Sequence, residues 1–199
     1  MTDTTPNPPL DRKGRRTLLL LAVVFLGPIA VAMALYFTGF ELRPSGSTQH
    51  GELYLPPRPM PDASMTLLGD PAGTGQLYGK WTLIYAGPGT CDDSCQQALV
   101  DIRQIRRALG RDMDRVQRLY LVTSGTAARD FLGAEHPGLG LLEDPVEVRE
   151  LLDILGPIQA GDLFLSDPLG NLVMRYPAGT TMKAIHTDLQ RLLKISTIG

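Results

Sequence analysis

The first feature along the chain is an apolar run of 24 residues, 17–40, that contains no charged side chain. A helix rises about 1.5 Å per residue, so about 20 apolar residues are enough to cross the hydrocarbon core of a bilayer. No second stretch of this length lacks a charge. The pattern therefore predicts one transmembrane helix over residues 17–40.

The charges on the two sides of this run predict its direction. Residues 1–16 carry a net charge of +2, whereas Glu41 and Arg43 balance each other just after the run. The positive-inside rule then places residues 1–16 in the cytoplasm and the rest of the chain across the membrane. A cleaved signal peptide is the alternative, but its apolar region spans only about 7–15 residues and ends in small residues. Here the run is longer and ends in the aromatic segment 36–40, which favours an uncleaved anchor.

The segment after the anchor, residues 41–63, is rich in proline and small polar residues. Such a composition buries too little apolar surface to fold by itself, and the prolines stiffen the chain. We therefore expect an extended linker over residues 41–63, with His50 as one of its residues. Residues 64–199 are long enough for one domain with a single core.

Strands and helices alternate within residues 64–199. Residues 81–86 form the short apolar run typical of a buried strand, and residues 92–109 repeat apolar positions at the helical period. The predicted strands are 65–68 (an edge strand), 81–86, 118–123, 163–165 and 172–176, and the predicted helices are 92–109, 146–155 and 181–195. Strand–helix–strand connections imply parallel pairing, and the late hairpin adds an antiparallel pair. The prediction is an α/β fold, a mixed sheet with flanking helices in the order of a thioredoxin-like domain.

Composition and charge exclude several classes of function. The 199-residue chain has a net charge of -2, which disfavours a nucleic-acid partner bound through strong overall positive charge. Three arginines, Arg103, Arg106 and Arg107, share one predicted helix and are expected to form a solvated face rather than a phosphate site. A glycine-rich phosphate loop, a G-x-S-x-G elbow and an H-E-x-x-H helix are absent from the sequence, so hydrolase and nucleotide chemistry are unsupported.

The candidate chemistry lies in the only two cysteines, Cys91 and Cys95, where a predicted strand meets a predicted helix. Residues four apart share a helix face, so the two sulfurs can meet each other or bind one metal ion, with copper(I) the soft cation that suits them. The helix N-terminus stabilises a thiolate, whereas the neighbouring Asp92 and Asp93 oppose it, and the sequence does not decide between these effects. A structural disulfide is the alternative, although it would close a loop of only a few residues and remove little unfolded-state entropy.

These motifs together resemble the Sco/SenC family. The resemblance is carried by the anchor, the segment Gly-Lys-Trp-Thr-Leu-Ile-Tyr at 79–85, the C-x-x-x-C spacing, and Asp-Pro-Leu-Gly at 167–170, and it covers about residues 64–195. It implies a membrane-anchored thioredoxin fold that helps deliver copper to cytochrome c oxidase, with Cys91 and Cys95 as metal ligands or redox residues. It further implies an oxidase subunit or another assembly factor as the partner. The expected location is a bacterial inner membrane, with the C-terminal domain in the periplasm.

One departure from the family concerns its third copper ligand, a histidine shortly before the strand that leads into the Asp-Pro turn. The corresponding stretch, 157–162, contains no histidine, and Gln159 lies nearest the expected place. Gln96 also replaces the proline that usually follows the second cysteine. His136 is predicted to be a solvated loop residue.

Three functions stay open from the sequence: copper(I) handling, thiol–disulfide exchange with a partner, and a non-catalytic docking role with a structural disulfide. The second of these is an enzymatic activity, whereas the first and third describe an assembly factor or accessory protein.

Overall fold

The computed structural model describes residues 12–37, 49–70 and 73–198, and the chain forms two units that divide between residues 47 and 48. Helix α1, Arg12–Phe37, is the first unit, and its segment Gly14–Leu35 is long and apolar enough to cross a membrane. The predicted transmembrane helix is thus present, although residues 38–40 and the first part of the predicted linker, 41–48, lie outside the described residues.

The second unit contains an eight-stranded sheet and four helices in its described residues. The strands are β1 (Glu52–Pro59), β2 (Ser64–Leu67), β3 (Thr74–Gln76), β4 (Trp81–Gly87), β5 (Val116–Val122), β6 (Gly140–Leu142), β7 (Leu163–Ser166) and β8 (Asn171–Tyr176). The helices are α2 (Asp93–Ala108), α3 (Arg129–Glu135), α4 (Pro145–Leu155) and α5 (Met182–Ile195). A short 3-10 helix, Gly110–Arg115, joins α2 to β5.

The sheet is mixed and has the order β1-β8-β7-β4-β5-β6-β2-β3. Strand β4 pairs in parallel with β5 and antiparallel with β7, so it lies at the centre, as its continuous burial requires. Leu83 and Tyr85 face the core under α2 and α5, whereas Ile84 faces the core under α4. The predicted α/β fold with helices on both faces is therefore confirmed.

The predicted linker is wrong from Glu52 onward, because residues 52–59 form the edge strand β1 and pair antiparallel with β8. The register shifts between Leu53 and Arg58, so the adjoining prolines interrupt the pairing there. An edge strand tolerates proline because one side of its backbone has no partner strand. Met60 and Ala63 are buried, and the folded unit therefore begins well before residue 64.

His50 is a further correction to the predicted linker. Its backbone N–H donates to Asp188 Oδ2 at 2.8 Å, and its Nδ1 lies 3.0 Å from Asp188 Oδ1. The Asp188 carboxylate, 2% exposed, also accepts from the N–H of Gly51 at 3.1 Å. A buried carboxylate on α5 thus holds the segment that leads into β1.

The remaining differences concern short elements. β3, β6 and α3 were not predicted, because runs of three strand residues or seven helix residues carry too little periodicity to recognise. β2 lies between β6 and β3 and is therefore not the edge strand that the sequence suggested. Helix α2 ends just before Gly110, whose φ of +59° is a left-handed conformation that glycine adopts readily.

Candidate functional site

The two cysteines lie where the central strand β4 ends and α2 begins, and the loop between them is fixed by the neighbouring strand. The N–H of Gly89 donates to Ser124 O at 2.7 Å, and the N–H of Thr123 donates to Gly87 O at 2.9 Å. A Cβ added to Gly89 would lie 2.6 Å from the carbonyl carbon of Thr126. This close approach of two backbones therefore requires glycine at position 89.

Cys91 and Cys95 form a disulfide, with their Cα atoms 5.0 Å apart. Cys95 is fully buried, whereas Cys91 retains 7% exposure. Cys91 also has a φ of +38°, a left-handed conformation that costs energy for a residue with a Cβ. Of the two residues, Cys91 is thus the one that retains surface for a group from outside to approach.

Asp92 caps α2 and lies between the two cysteines in the sequence. Its carboxylate accepts hydrogen bonds from the N–H of Cys95 at 3.0 Å and from the hydroxyl of Ser94 at 2.7 Å. These two bonds, that of Cys95 first, hold the pKa of Asp92 below its ordinary value, so the carboxylate is ionised at neutral pH. One N–H of the helix terminus therefore already donates to a carboxylate, and the stabilisation that the terminus gives to a thiolate is correspondingly weaker.

Tyr120, on β5, is the polar side chain next to the buried sulfur. Its hydroxyl donates to Pro88 O at 2.5 Å and lies 3.5 Å from Cys95 Sγ. Burial, followed by the nearby Tyr85 and Asp92, raises the pKa of Tyr120 far above its usual value, so the hydroxyl keeps its proton. Tyr85 stacks beside it with the ring centroids 5.7 Å apart. Tyr120 is not among the predicted site residues, although strand alternation and the pairing of β4 with β5 place it beneath α2.

The loop at residues 157–162, where the family histidine is expected, lies at the same edge of the sheet as the cysteines. It leads into β7, whose Leu163 pairs with Tyr85 near the carboxyl end of β4. The fully buried Asp162 accepts from the N–H of Gln159 at 2.9 Å and from Arg175 Nη2 at 2.6 Å. The loop is thus held by a carboxylate, and the side chain at its exposed position 159 is an amide.

Within residues 12–37, 49–70 and 73–198, no group of three or more His, Cys, Asp or Glu side chains is arranged to hold a metal ion. His136 is not the solvated loop residue that the sequence suggested, since it is only 2% exposed at the end of α3. Burial, and then the charges of Arg103 and Arg118, lower its pKa. His186 lies 3.2 Å from Ala108 O, at the opposite end of α2 from the cysteines.

This fold and this site define a thioredoxin-like domain with one disulfide at the start of its first long helix. Residues 81–196 match the family described as "Transmembrane-like, thioredoxin-like, C-terminal domain", and residues 8–39 match "Transmembrane-like, N-terminal domain". The first match covers more than half of the chain, so the protein belongs to this family. The N-terminal match and the apolar helix α1 together support membrane anchoring.

Solved structures with the same fold include Sco proteins, in agreement with the resemblance in the sequence. Apo Sco1 from Thermus thermophilus has 23% identity and a TM-score of 0.57, covering 74% of this chain and 99% of its own. Bradyrhizobium japonicum ScoI, solved with copper bound, has 25% identity and a TM-score of 0.51, covering 67% of this chain and 98% of its own. A secreted thiol-disulfide isomerase from Corynebacterium glutamicum has 16% identity and a TM-score of 0.54, covering 76% of this chain and 95% of its own. Comparison with curated protein sequences gives no match.

Proposed function

We propose that the chain is a membrane-anchored thiol–disulfide exchange protein that acts through Cys91 and Cys95. The observation that supports this function is the unequal exposure of the two cysteines, 7% for Cys91 and 0% for Cys95. Disulfide exchange needs one sulfur that a partner thiolate can reach and a second sulfur that leaves. A disulfide with both sulfurs fully enclosed would serve stability alone.

The reaction begins when a thiolate of a partner dithiol attacks the sulfur of Cys91. The Cys91–Cys95 bond breaks, a mixed disulfide forms between the partner and Cys91, and Cys95 leaves as a thiolate that takes up a proton. The second thiol of the partner, once deprotonated, attacks the mixed disulfide and releases Cys91 as a thiolate. In the net reaction the partner dithiol is oxidised to a disulfide, and the Cys91–Cys95 disulfide is reduced to two thiols.

The cellular setting follows from the anchor and from the Sco resemblance. The basic residues at the start of α1 orient residues 1–16 to the cytoplasm, so the thioredoxin-like domain faces the periplasm of a bacterial inner membrane. Disulfides persist in that compartment. The partner in this setting is a cytochrome c oxidase subunit or another assembly factor with cysteines of its own, and the chain assists the assembly of the oxidase.

Copper(I) is a second candidate substrate, and the C-x-x-x-C spacing favours it. Once reduced, Cys91 and Cys95 offer two soft sulfur ligands on one helix end, which suit copper(I). Bradyrhizobium japonicum ScoI binds copper on the same fold. The loop of Gln159 supplies no imidazole, so the metal would be held by the two sulfurs and passed on as cargo.

Exchange is tested on the full chain in detergent micelles with two matched variants. Cys95→Ser leaves Cys91 as a free thiol, and we expect its thiolate to attack the disulfide of an oxidised peptide or oxidase subunit in membranes and to stay trapped as a mixed disulfide, because the chain then has no second cysteine to resolve it. Cys91→Ser leaves only the buried sulfur and should trap far less. Equal trapping by both variants, or a wild-type disulfide that glutathione buffers cannot reduce, would argue against exchange.

Copper handling is tested by titrating the reduced full chain with copper(I) against a chromophoric chelator. Wild-type protein should take one copper(I) from the chelator, and the double variant Cys91→Ser/Cys95→Ser should take none. Equal and negligible binding by both proteins removes the metal function. If exchange also fails and the double variant still supports oxidase assembly, the domain is a docking protein with a structural disulfide.

A further inference from the structure

A cluster of arginine side chains around Arg118 of β5 lies on the same face of the sheet as the disulfide. Side chains alternate along a strand, so Val116, Arg118 and Tyr120 point to one face, and Val116 and Tyr120 belong to the core beneath α2. Arg118 therefore occupies a core position, and it is only 4% exposed. Arginine is almost never so buried unless an anion pairs with it.

The guanidinium of Arg118 has only part of its hydrogen-bonding capacity used. Nη2 donates to Pro137 O at 2.8 Å, while Nε and Nη1 are buried without an acceptor in the part of the chain that the structure describes. Within the same residues no carboxylate lies within 4 Å of this group. Burial, and then the positive charges of Arg106 and Arg103, lower the pKa of Arg118 to about 10, so it remains charged at neutral pH. A buried cation with free donors and cationic neighbours is costly unless something anionic joins it.

A cavity of about 330 Å³ opens beside this group. Its lining consists of Arg103, Arg106 and Arg107 from α2, together with Met113, Arg118 and Pro137. The three helix arginines are three and four residues apart and so share one face of α2. Carboxylates offer little compensation there. Of the four arginines that line the cavity, only Arg106 has an ion-pair partner among the described residues, the largely exposed Asp114 at 3.2 Å.

Two further polar atoms in this region lack partners. Arg103 contacts the backbone carbonyl of Glu135 through Nη1, but its Nε is buried without an acceptor among the described residues. Nδ1 of the buried His136 is also without a partner there. Unsatisfied buried polar atoms are rare in folded proteins, and three of those in the described residues belong to Arg103 and Arg118, which line this cavity.

We propose that this basic pocket, formed by Arg103, Arg107 and Arg118, binds a phosphate group, either of free phosphate or of an anionic lipid headgroup. Guanidinium groups donate several hydrogen bonds in a fixed plane and match phosphate oxygens well. A phosphate oxygen would fill the empty donor positions of Arg118, and the negative charge would offset the three guanidinium groups that lack a carboxylate. The pocket is separate from the disulfide and does not depend on the proposed exchange reaction.

The test measures thermal unfolding of the full chain in dodecyl maltoside micelles with added inorganic phosphate, at constant ionic strength set with chloride. Phosphate should raise the Tm of wild-type protein and leave that of Arg118→Met nearly unchanged. Methionine fills a similar volume without the buried charge, so this variant should fold. The exposed helix variant Arg107→Gln is a second arm that does not disturb the core and should weaken phosphate binding severalfold. Arg111→Met, an exposed arginine outside the pocket, is the matched control and should respond like wild type.

The lipid source is separated by reconstituting the full chain in phosphatidylcholine nanodiscs with or without phosphatidylglycerol. If the ligand is a lipid headgroup, phosphatidylglycerol raises the Tm of wild-type protein but not that of Arg118→Met. If the ligand is free phosphate, only the micelle titration shows the difference. The proposal is overturned if neither phosphate nor phosphatidylglycerol raises the wild-type Tm, or if wild type, Arg118→Met and Arg107→Gln all respond equally.

Discussion

Replacing Tyr120 by phenylalanine isolates the one hydroxyl that contacts the buried sulfur. In the disulfide form this hydroxyl donates a hydrogen bond to Pro88 O at 2.5 Å. Cys95 Sγ lies 3.5 Å from the hydroxyl and, as part of a disulfide, has no hydrogen to donate. After reduction, the thiol of Cys95 gains a hydrogen that it can donate to the Tyr120 oxygen. The hydroxyl therefore stabilises the reduced form more than the oxidised form, and Tyr120→Phe should lower the reduction potential.

The size of this shift follows from the strength of a thiol hydrogen bond. Such a bond contributes about 0.5–1 kcal/mol, and 1.4 kcal/mol corresponds to about 30 mV for a two-electron couple. Tyr120→Phe should therefore lower the potential by about 10–20 mV. The loss of folding stability should be about 1 kcal/mol, because Pro88 O keeps the hydrogen bond from the N–H of Cys91 at 3.0 Å and is not left unpaired.

The assay equilibrates the full chain with glutathione buffers, traps free thiols by alkylation and counts the modified cysteines by mass. Tyr176→Phe is the matched control, since Tyr176 is also fully buried but lies on β8, two strands from β4. Its hydroxyl has no partner among the described residues, so the control should leave the potential unchanged. A rise in the potential of Tyr120→Phe, or the same shift in both variants, would refute a specific interaction between Tyr120 and the reduced Cys95.

Three other predictions concern the loop, the segment before β1 and the buried histidine. Gln159→His should add an imidazole near the cysteines and raise copper(I) affinity about tenfold or more; an unchanged affinity in the chelator competition would show that position 159 does not reach them. Asp188→Asn should lower the free energy of unfolding by about 2 kcal/mol, because its carboxylate accepts from His50 and Gly51; urea unfolding followed by tryptophan fluorescence measures this, and no loss would contradict the proposed role. Since burial lowers the pKa of His136, the unfolded state binds a proton first as the pH falls, so stability should decrease below about pH 6.5. His136→Gln should flatten that part of the pH profile, and an equally steep profile would assign the loss to other groups.

The error in the predicted linker shows what local composition leaves out. Residues 52–59 contain three prolines and match the composition of an extended spacer, yet they pair with β8, more than a hundred residues away. That pairing is a long-range contact with no local signal in the sequence. The prolines are compatible with it only because β1 lies at the edge of the sheet, a position that the sequence alone does not assign.

In the candidate site, too, the features that are local in the sequence could be predicted, whereas those that depend on long-range contacts could not. The spacing of Cys91 and Cys95 and their place at a strand–helix junction follow from the sequence, because both are local. The contact of Tyr120 with Cys95 depends on the pairing of β4 with β5 and on how α2 packs across them. The predicted strand begins at Arg118, whereas the observed strand begins at Val116, so Arg118 lies inside it.

The loop at residues 157–162 shows that the fold of the site does not depend on a metal-binding side chain. Asp162 accepts hydrogen bonds from the N–H groups of Gln159 and Ala178 and from Arg175, so the loop keeps its conformation without a metal ligand. A histidine at position 159 would therefore change the ligands offered to a metal but not the fold that presents them. The chemistry of the domain then rests on the two sulfurs and on what reaches Cys91, the cysteine that retains some exposure. This asymmetry is why exchange is the function that the site supports best, with copper(I) as a second substrate.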